Sequence, residues 1–156
     1  MHWLLYISIL IGVLATAEDV YRRTISNKTT IAAFVLGLGA QTVLHGLHGA
    51  GDSLLGTAVG FLVFLIFFLL GGMGGGDIKL MASFGAVLGA SQTFMAAILT
   101  AIVGALFALV YLLVNKIRSK RSKHATEREG SQEHAAETIP YAPAITLGVL
   151  LSFAAR

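Results

Sequence analysis

Residues 53–77 read SLLGTAVGFLVFLIFFLLGGMGGGD. Up to Leu70 there is no charged residue, and such a run fits a helix crossing the roughly 30 Å hydrocarbon core of a bilayer, which takes about 20 apolar residues. Residues 71–77, GGMGGGD, then supply five glycines and an acid, poor material for a helix and costly beside lipid. The fold follows from asking how often such apolar runs recur. The function follows from asking what Asp77 is for.

The runs recur along the whole chain. Besides 53–70, residues 2–17, 29–47, 78–90, 93–114 and 139–155 are predominantly apolar, giving six segments of which 78–90 is short for a crossing. Of 156 residues, 56% are hydrophobic and 12% charged, about half the charged fraction of a soluble domain. The expected class is therefore an all-α polytopic membrane protein. The absence of cysteine excludes disulfides and cysteine-based zinc sites. Residues 2–17 do not read as a cleaved signal peptide, since no basic residue precedes them and ATAEDVYRR follows.

Charge placement orients the segments. Ten of the eleven basic residues fall in three alternate connections, 18–28, 71–79 and 115–138, and none in 48–52 or 91–92. Lys and Arg favour the cytoplasmic side, so the reading is N-terminus outside, six crossings and C-terminus outside. The net charge of +3 then reflects topology rather than nucleic-acid binding. Residues 115–138 read as a flexible cytoplasmic loop without a site.

The eight acids sort accordingly. Glu127, Glu129, Glu133 and Glu137 solvate the long loop, and Asp52 is placed to cap the N-terminus of its own third segment. Glu18, Asp19 and Asp77 remain, on one face at one depth. Asp77 has an alternative use as an N-cap, but Asp19 closes a helix, where the dipole disfavours a carboxylate. Two carboxyl groups brought together share a proton; the charged one activates water while the protonated one donates to a scissile carbonyl. Gly74, Gly75 and Gly76 can adopt positive φ and admit a substrate backbone. Irregular backbone at membrane depth must line a cavity or be buried, so a polar cleft is expected there.

These residues resemble a known family. Gly74-Gly75-Gly76-Asp77 fits the G-x-G-D motif of membrane aspartic proteases, and GGMGGGDIKLMASFGAVLG looks like its type IV prepilin (leader) peptidase form. DVYRRTISN, from Asp19 to Asn27, is similar to that family's stretch after the first helix, with Asp19, Arg23, Ile25 and Asn27 in order and Ser26 where proline is frequent. IPYAPAITLG, 139–148, resembles the opening of its last helix. The resemblance implies one membrane peptidase domain over 1–156 without a separate soluble domain, in the multi-pass setting of the cytoplasmic membrane. It implies Asp19 and Asp77 as the catalytic pair. Gly74, Gly75, Gly76, Lys79, Arg23, Asn27 and Glu18 would bind substrate or support the pair, with no metal or cofactor. The implied substrate is a prepilin or pseudopilin, cut on the cytoplasmic side after a short basic leader that Glu18 would attract. The short first loop looks like the compact form of tight-adherence (Flp) or archaeal peptidases, and leaves little room for a methyl-donor site, so N-methyltransferase activity is not expected.

Other features have plainer uses. His45, His48 and Asp52 stand on the opposite face and read as interfacial polar residues rather than a metal site. Gly56/Gly60 and Gly85/Gly89 read as close helix packing. Lys79 is placed either to act on Asp77 and the substrate or to snorkel to the interface. Two rival functions are an ion- or proton-coupled transporter, for which no internal repeat is visible, and a non-catalytic pilus-assembly component. The oligomeric state is not written in these residues.

Overall fold

The computed structural model describes residues 2–71, 73–121 and 141–155. These are all helical in architecture: α1 (His2–Arg22), α2 (Asn27–Leu69), α3 (Gly75–Leu88), α4 (Ala90–Arg121) and α5 (Ala142–Ala154). Three are long and apolar enough to cross a membrane, over Trp3–Arg22, Asn27–Leu69 and Ala90–Phe107, and α5 is a shorter apolar helix. Large apolar side chains such as Val13, Leu36, Leu62, Phe94 and Leu106 point outward and are exposed, as a lipid-facing surface requires.

The 43 residues of α2 would measure about 65 Å if straight, twice a bilayer core. They are not straight. Gly46 leaves helical geometry at φ 63, ψ −147, in the left-handed half of the map that glycine enters without a Cβ penalty. The chain folds back there: a Cβ on Gly49 would collide with the carbonyl of Gln41, which a continuous helix would hold about 12 Å away. Two arms result, 27–45 and 47–69.

Both arms clasp α3. From the first, the Thr30 carbonyl accepts from Ser83 Oγ at 2.9 Å, and Gln41 Nε2 donates to the Val87 carbonyl at 2.7 Å. From the second, Ser53 Oγ donates to the Ala86 carbonyl at 2.8 Å. There a Cβ on Gly56 would strike Gly85, and one on Gly60 would strike Met81. Contact positions rise along α3 for the first arm and fall for the second, so the arms are antiparallel. The small residues let backbones touch, and the glycine pairs thus pack within one chain. Leu80, Met81, Phe84 and Val87 are fully buried as a result.

Helix α5 closes the bundle against α1 and α4. Thr16 and Thr146 hydroxyls meet at 3.3 Å, and Thr146 also covers Gly12. Thr100 sits over Gly148, while Gly104 faces the Tyr141 ring. These pairs run α5 antiparallel to both neighbours. The beginning of α1 and the end of α5 therefore lie at one end of the bundle. The end of α1 and the starts of α2, α3 and α5 lie at the other.

Several expectations change. No loop occupies 48–52; the reversal is at Gly46 and the arms are otherwise helical. Asp52 does not cap its own segment but accepts the Ala90 N–H at 3.1 Å, capping α4. Residues 115–121, expected as loop, continue α4 to Arg121, because Lys and Arg are good helix formers even where hydropathy drops. The remainder of the expected flexible loop, with Glu127, Glu129, Glu133 and Glu137, and the residues 139–140 assigned to the last segment lie outside the described residues, as does Gly72. The connection after α1 is only 23–26, and α3 begins at Gly75, so part of the glycine run is itself helical.

Candidate active site

Asp19 and Asp77 are brought to the same end of the bundle and are both buried, at 8% and 7% exposure. Asp19 is four residues from the end of α1; Asp77 lies in the first turn of α3. Their separation in sequence is closed by packing: α5 holds α1, and the arms of α2 hold α3.

Each carboxylate accepts one backbone amide. Asp19 Oδ2 accepts the N–H of Ala142, the first residue of α5, at 3.0 Å. Asp77 Oδ2 accepts the N–H of Gly74 at 3.1 Å. Gly74 is the N-cap of α3 and Asp77 is at N3. Asp77 is thus no N-cap; it reaches back to the cap amide, the acceptor half of a capping box. Burial pushes its carboxyl up from 3.8 to about 6. The Gly74 N–H opposes the rise and the Asp19 carboxylate adds to it. An acid raised by loss of solvent and by a like charge is a candidate for a functional site.

The glycines act differently from expectation. Gly74 has φ −82 and Gly75 and Gly76 are helical. Among the described residues of the run, the positive φ falls at Gly71, at 76, where the chain turns out of α2. Gly76 faces Ile25 at ordinary contact distance.

The supporting residues divide. Glu18 accepts the Ser26 N–H at 2.9 Å and the Thr29 hydroxyl at 2.7 Å, so one oxygen holds the N-cap of α2 and the other its first turn. Ser26 caps α2 through Lys28 N–H at 3.2 Å. Asn27 Oδ1 accepts from Lys79 Nζ at 2.9 Å. Two positions past Asp77 on a helix, Lys79 projects from nearly the opposite side, and it is exposed; it ties α3 to α2. Arg23 is exposed and left-handed at φ 52, its N–H donating to the Asp19 carbonyl at 2.8 Å, the conformation that ends a helix. At the far end, His45 Nδ1 meets Gln41 Oε1 at 3.0 Å.

Sequence reasoning missed the Ala142 amide; where it expected a polar cleft, the structure has a cavity of about 160 Å³ lined largely by apolar groups, among them Phe64, Phe67, Met73, Gly104 and Tyr141. Met73 and Tyr141 each precede a residue whose amide binds a carboxylate, so the cavity adjoins the pair. The flanking Pro140 and Pro143 were the available signal, since proline marks helix starts.

Residues 4–109 match the model of the type IV leader peptidase family. The "Prepilin leader peptidase/N-methyltransferase" of Bacillus subtilis (strain 168) is 31% identical over 150 residues, 95% of this chain and 53% of the relative. The chain therefore spans about half the length of that curated relative. No solved structure matches.

Proposed function

The chain belongs to the type IV leader peptidase family, and from that premise we propose that it is a membrane aspartic endopeptidase removing short basic leaders from prepilins or pseudopilins. The observation that carries this reading is that two buried carboxylates from distant segments, Asp19 and Asp77, lie at the same end of the bundle.

In the proposed reaction the pair holds one proton between its members. The charged carboxylate removes a proton from water as the water oxygen bonds to the scissile carbonyl carbon, while the protonated carboxyl donates to the carbonyl oxygen. The tetrahedral intermediate then collapses: the C–N bond breaks, the leaving nitrogen takes a proton, and the carbonyl re-forms. The proton count belongs to the pair. Gly74–Gly76 and the cavity between Met73 and Tyr141 border the path of the substrate.

The proposed setting is the cytoplasmic membrane, with six alternating crossings, both termini outside and the site at the cytoplasmic border. Support comes from the antiparallel arms of α2, from the reversal of α5 against α1 and α4, and from the basic residues near the Asp19/Asp77 end. The relative's name includes a methyltransferase; hydrolysis alone is proposed for this chain.

Co-expression with a prepilin tests the reading, with the leader's loss followed as a size shift. Asp19→Asn and Asp77→Asn should each abolish cleavage while protein level and membrane insertion stay unchanged. Wild-type cleavage by either variant refutes the pair.

A further inference from the structure

The catalytic reading uses two side chains, yet three helices meet at them. Helix α5 contributes no acid or base of its own, since Ala142–Ala154 is APAITLGVLLSFA. Its contribution is a backbone group. The Ala142 N–H is at the first helical position, where no partner exists within the helix, and it is spent on Asp19 Oδ2 at 3.0 Å. Ala142 is fully buried, so water does not compete for that donor. The amides at helix N-termini also carry the positive end of the helix dipole, which suits a carboxylate.

We propose that the N-terminus of α5 is a positioning element of the site, with the Ala142 amide fixing the Asp19 carboxylate so that one oxygen is anchored and the other is left to face Asp77 and the reacting water. The inference rests on the Asp19/Asp77 reading above. The neighbouring groups are otherwise committed: Glu18 to Ser26 and Thr29, Lys79 to Asn27, with Arg22 and Arg23 exposed. The anchoring is thus left to a group that carries no side-chain chemistry. It also explains why α5, the last helix, belongs to the site at all: the contact joins residues 123 positions apart.

Ala142→Pro deletes that N–H while keeping a residue suited to the first helical position; Ala142→Ser and Ala142→Gly keep it. The assay is cleavage of a prepilin substrate by purified protein in detergent. Misplacing a catalytic group by about 1 Å costs on the order of 100-fold in rate. Ala142→Pro should accordingly lower kcat by ~10–100-fold with KM unchanged, as expected when the loss falls on the chemical step and not on substrate binding. Ala142→Ser should retain at least half of wild-type kcat. Wild-type kcat in Ala142→Pro, a change confined to KM, or equal losses in the Pro and Ser variants would each overturn the proposal. If Ala142→Pro does not accumulate, hydrogen exchange decides. The Ala142 amide should exchange faster in Asp19→Ala than in wild type, and equal protection in the two overturns the anchoring. Because Asp19→Asn and Asp77→Asn are run beside these variants, failure of the pair and failure of the anchor give different results.

Discussion

Replacing Asp77 by Asn should make the folded protein more stable at neutral pH, and the gain should vanish in acid. The carboxyl rises from 3.8 to about 6 on folding, chiefly by burial. A folded-state value above the unfolded one means that the native state binds the proton more tightly. The associated stability is fully present below 3.8 and is lost as pH climbs through about 6. The full difference corresponds to about 3 kcal/mol, at 1.36 kcal/mol per pH unit. Asn has no charge to desolvate or to repel Asp19, and its Oδ1 still accepts the Gly74 N–H. Wild type should therefore trail Asp77→Asn by about 3 kcal/mol at pH 8, by roughly half of that at pH 5 and by little at pH 4. Reversible unfolding in mixed micelles across this pH series measures the gap directly, with prepilin cleavage confirming that the stabilised variant is inactive. A gap that does not change with pH, or an Asp77→Asn protein less stable than wild type at pH 8, would refute the assignment of the burial cost to Asp77.

Two further outcomes follow from packing. Gly85→Ala puts a methyl against the Gly56 carbonyl, so it should destabilise by about 1–3 kcal/mol as overpacking does; an unchanged unfolding midpoint would show that the second arm of α2 is not held there. Gly104→Leu places its side chain against Tyr141 and into the cavity beside the pair. It should depress prepilin cleavage with the unfolding midpoint preserved, and undiminished cleavage would remove the cavity from the substrate path.

Much of this was legible because membrane physics writes in long strokes. Apolar runs marked the helices, and the basic residues marked which connections share a face, which placed Asp19 and Asp77 together before any coordinates. What was not legible depended on single residues and on the backbone. LHGLHGAGD resembles a loop by composition, but one glycine at φ 63 suffices for a reversal, and Ala50 to Ser53 continue as helix. The Asp52 carboxylate looked committed to its own segment because capping is a local habit; the fold offered it the unsatisfied start of α4 instead. KIRSKR ended an apolar run without ending a helix. The Ala142 amide had no letter of its own beyond the prolines on either side.

The short α3 explains how an acid can be both inside the bundle and within reach of Asp19. Its 14 residues rise about 21 Å, and Asp77 is buried in its first turn. The second arm of α2 closes on the middle and far end of α3, where Gly60 meets Met81 and Gly56 meets Gly85, while at the start of α3 the Gly74 N–H donates to Asp77. The raised carboxyl follows from that enclosure rather than from any one neighbour.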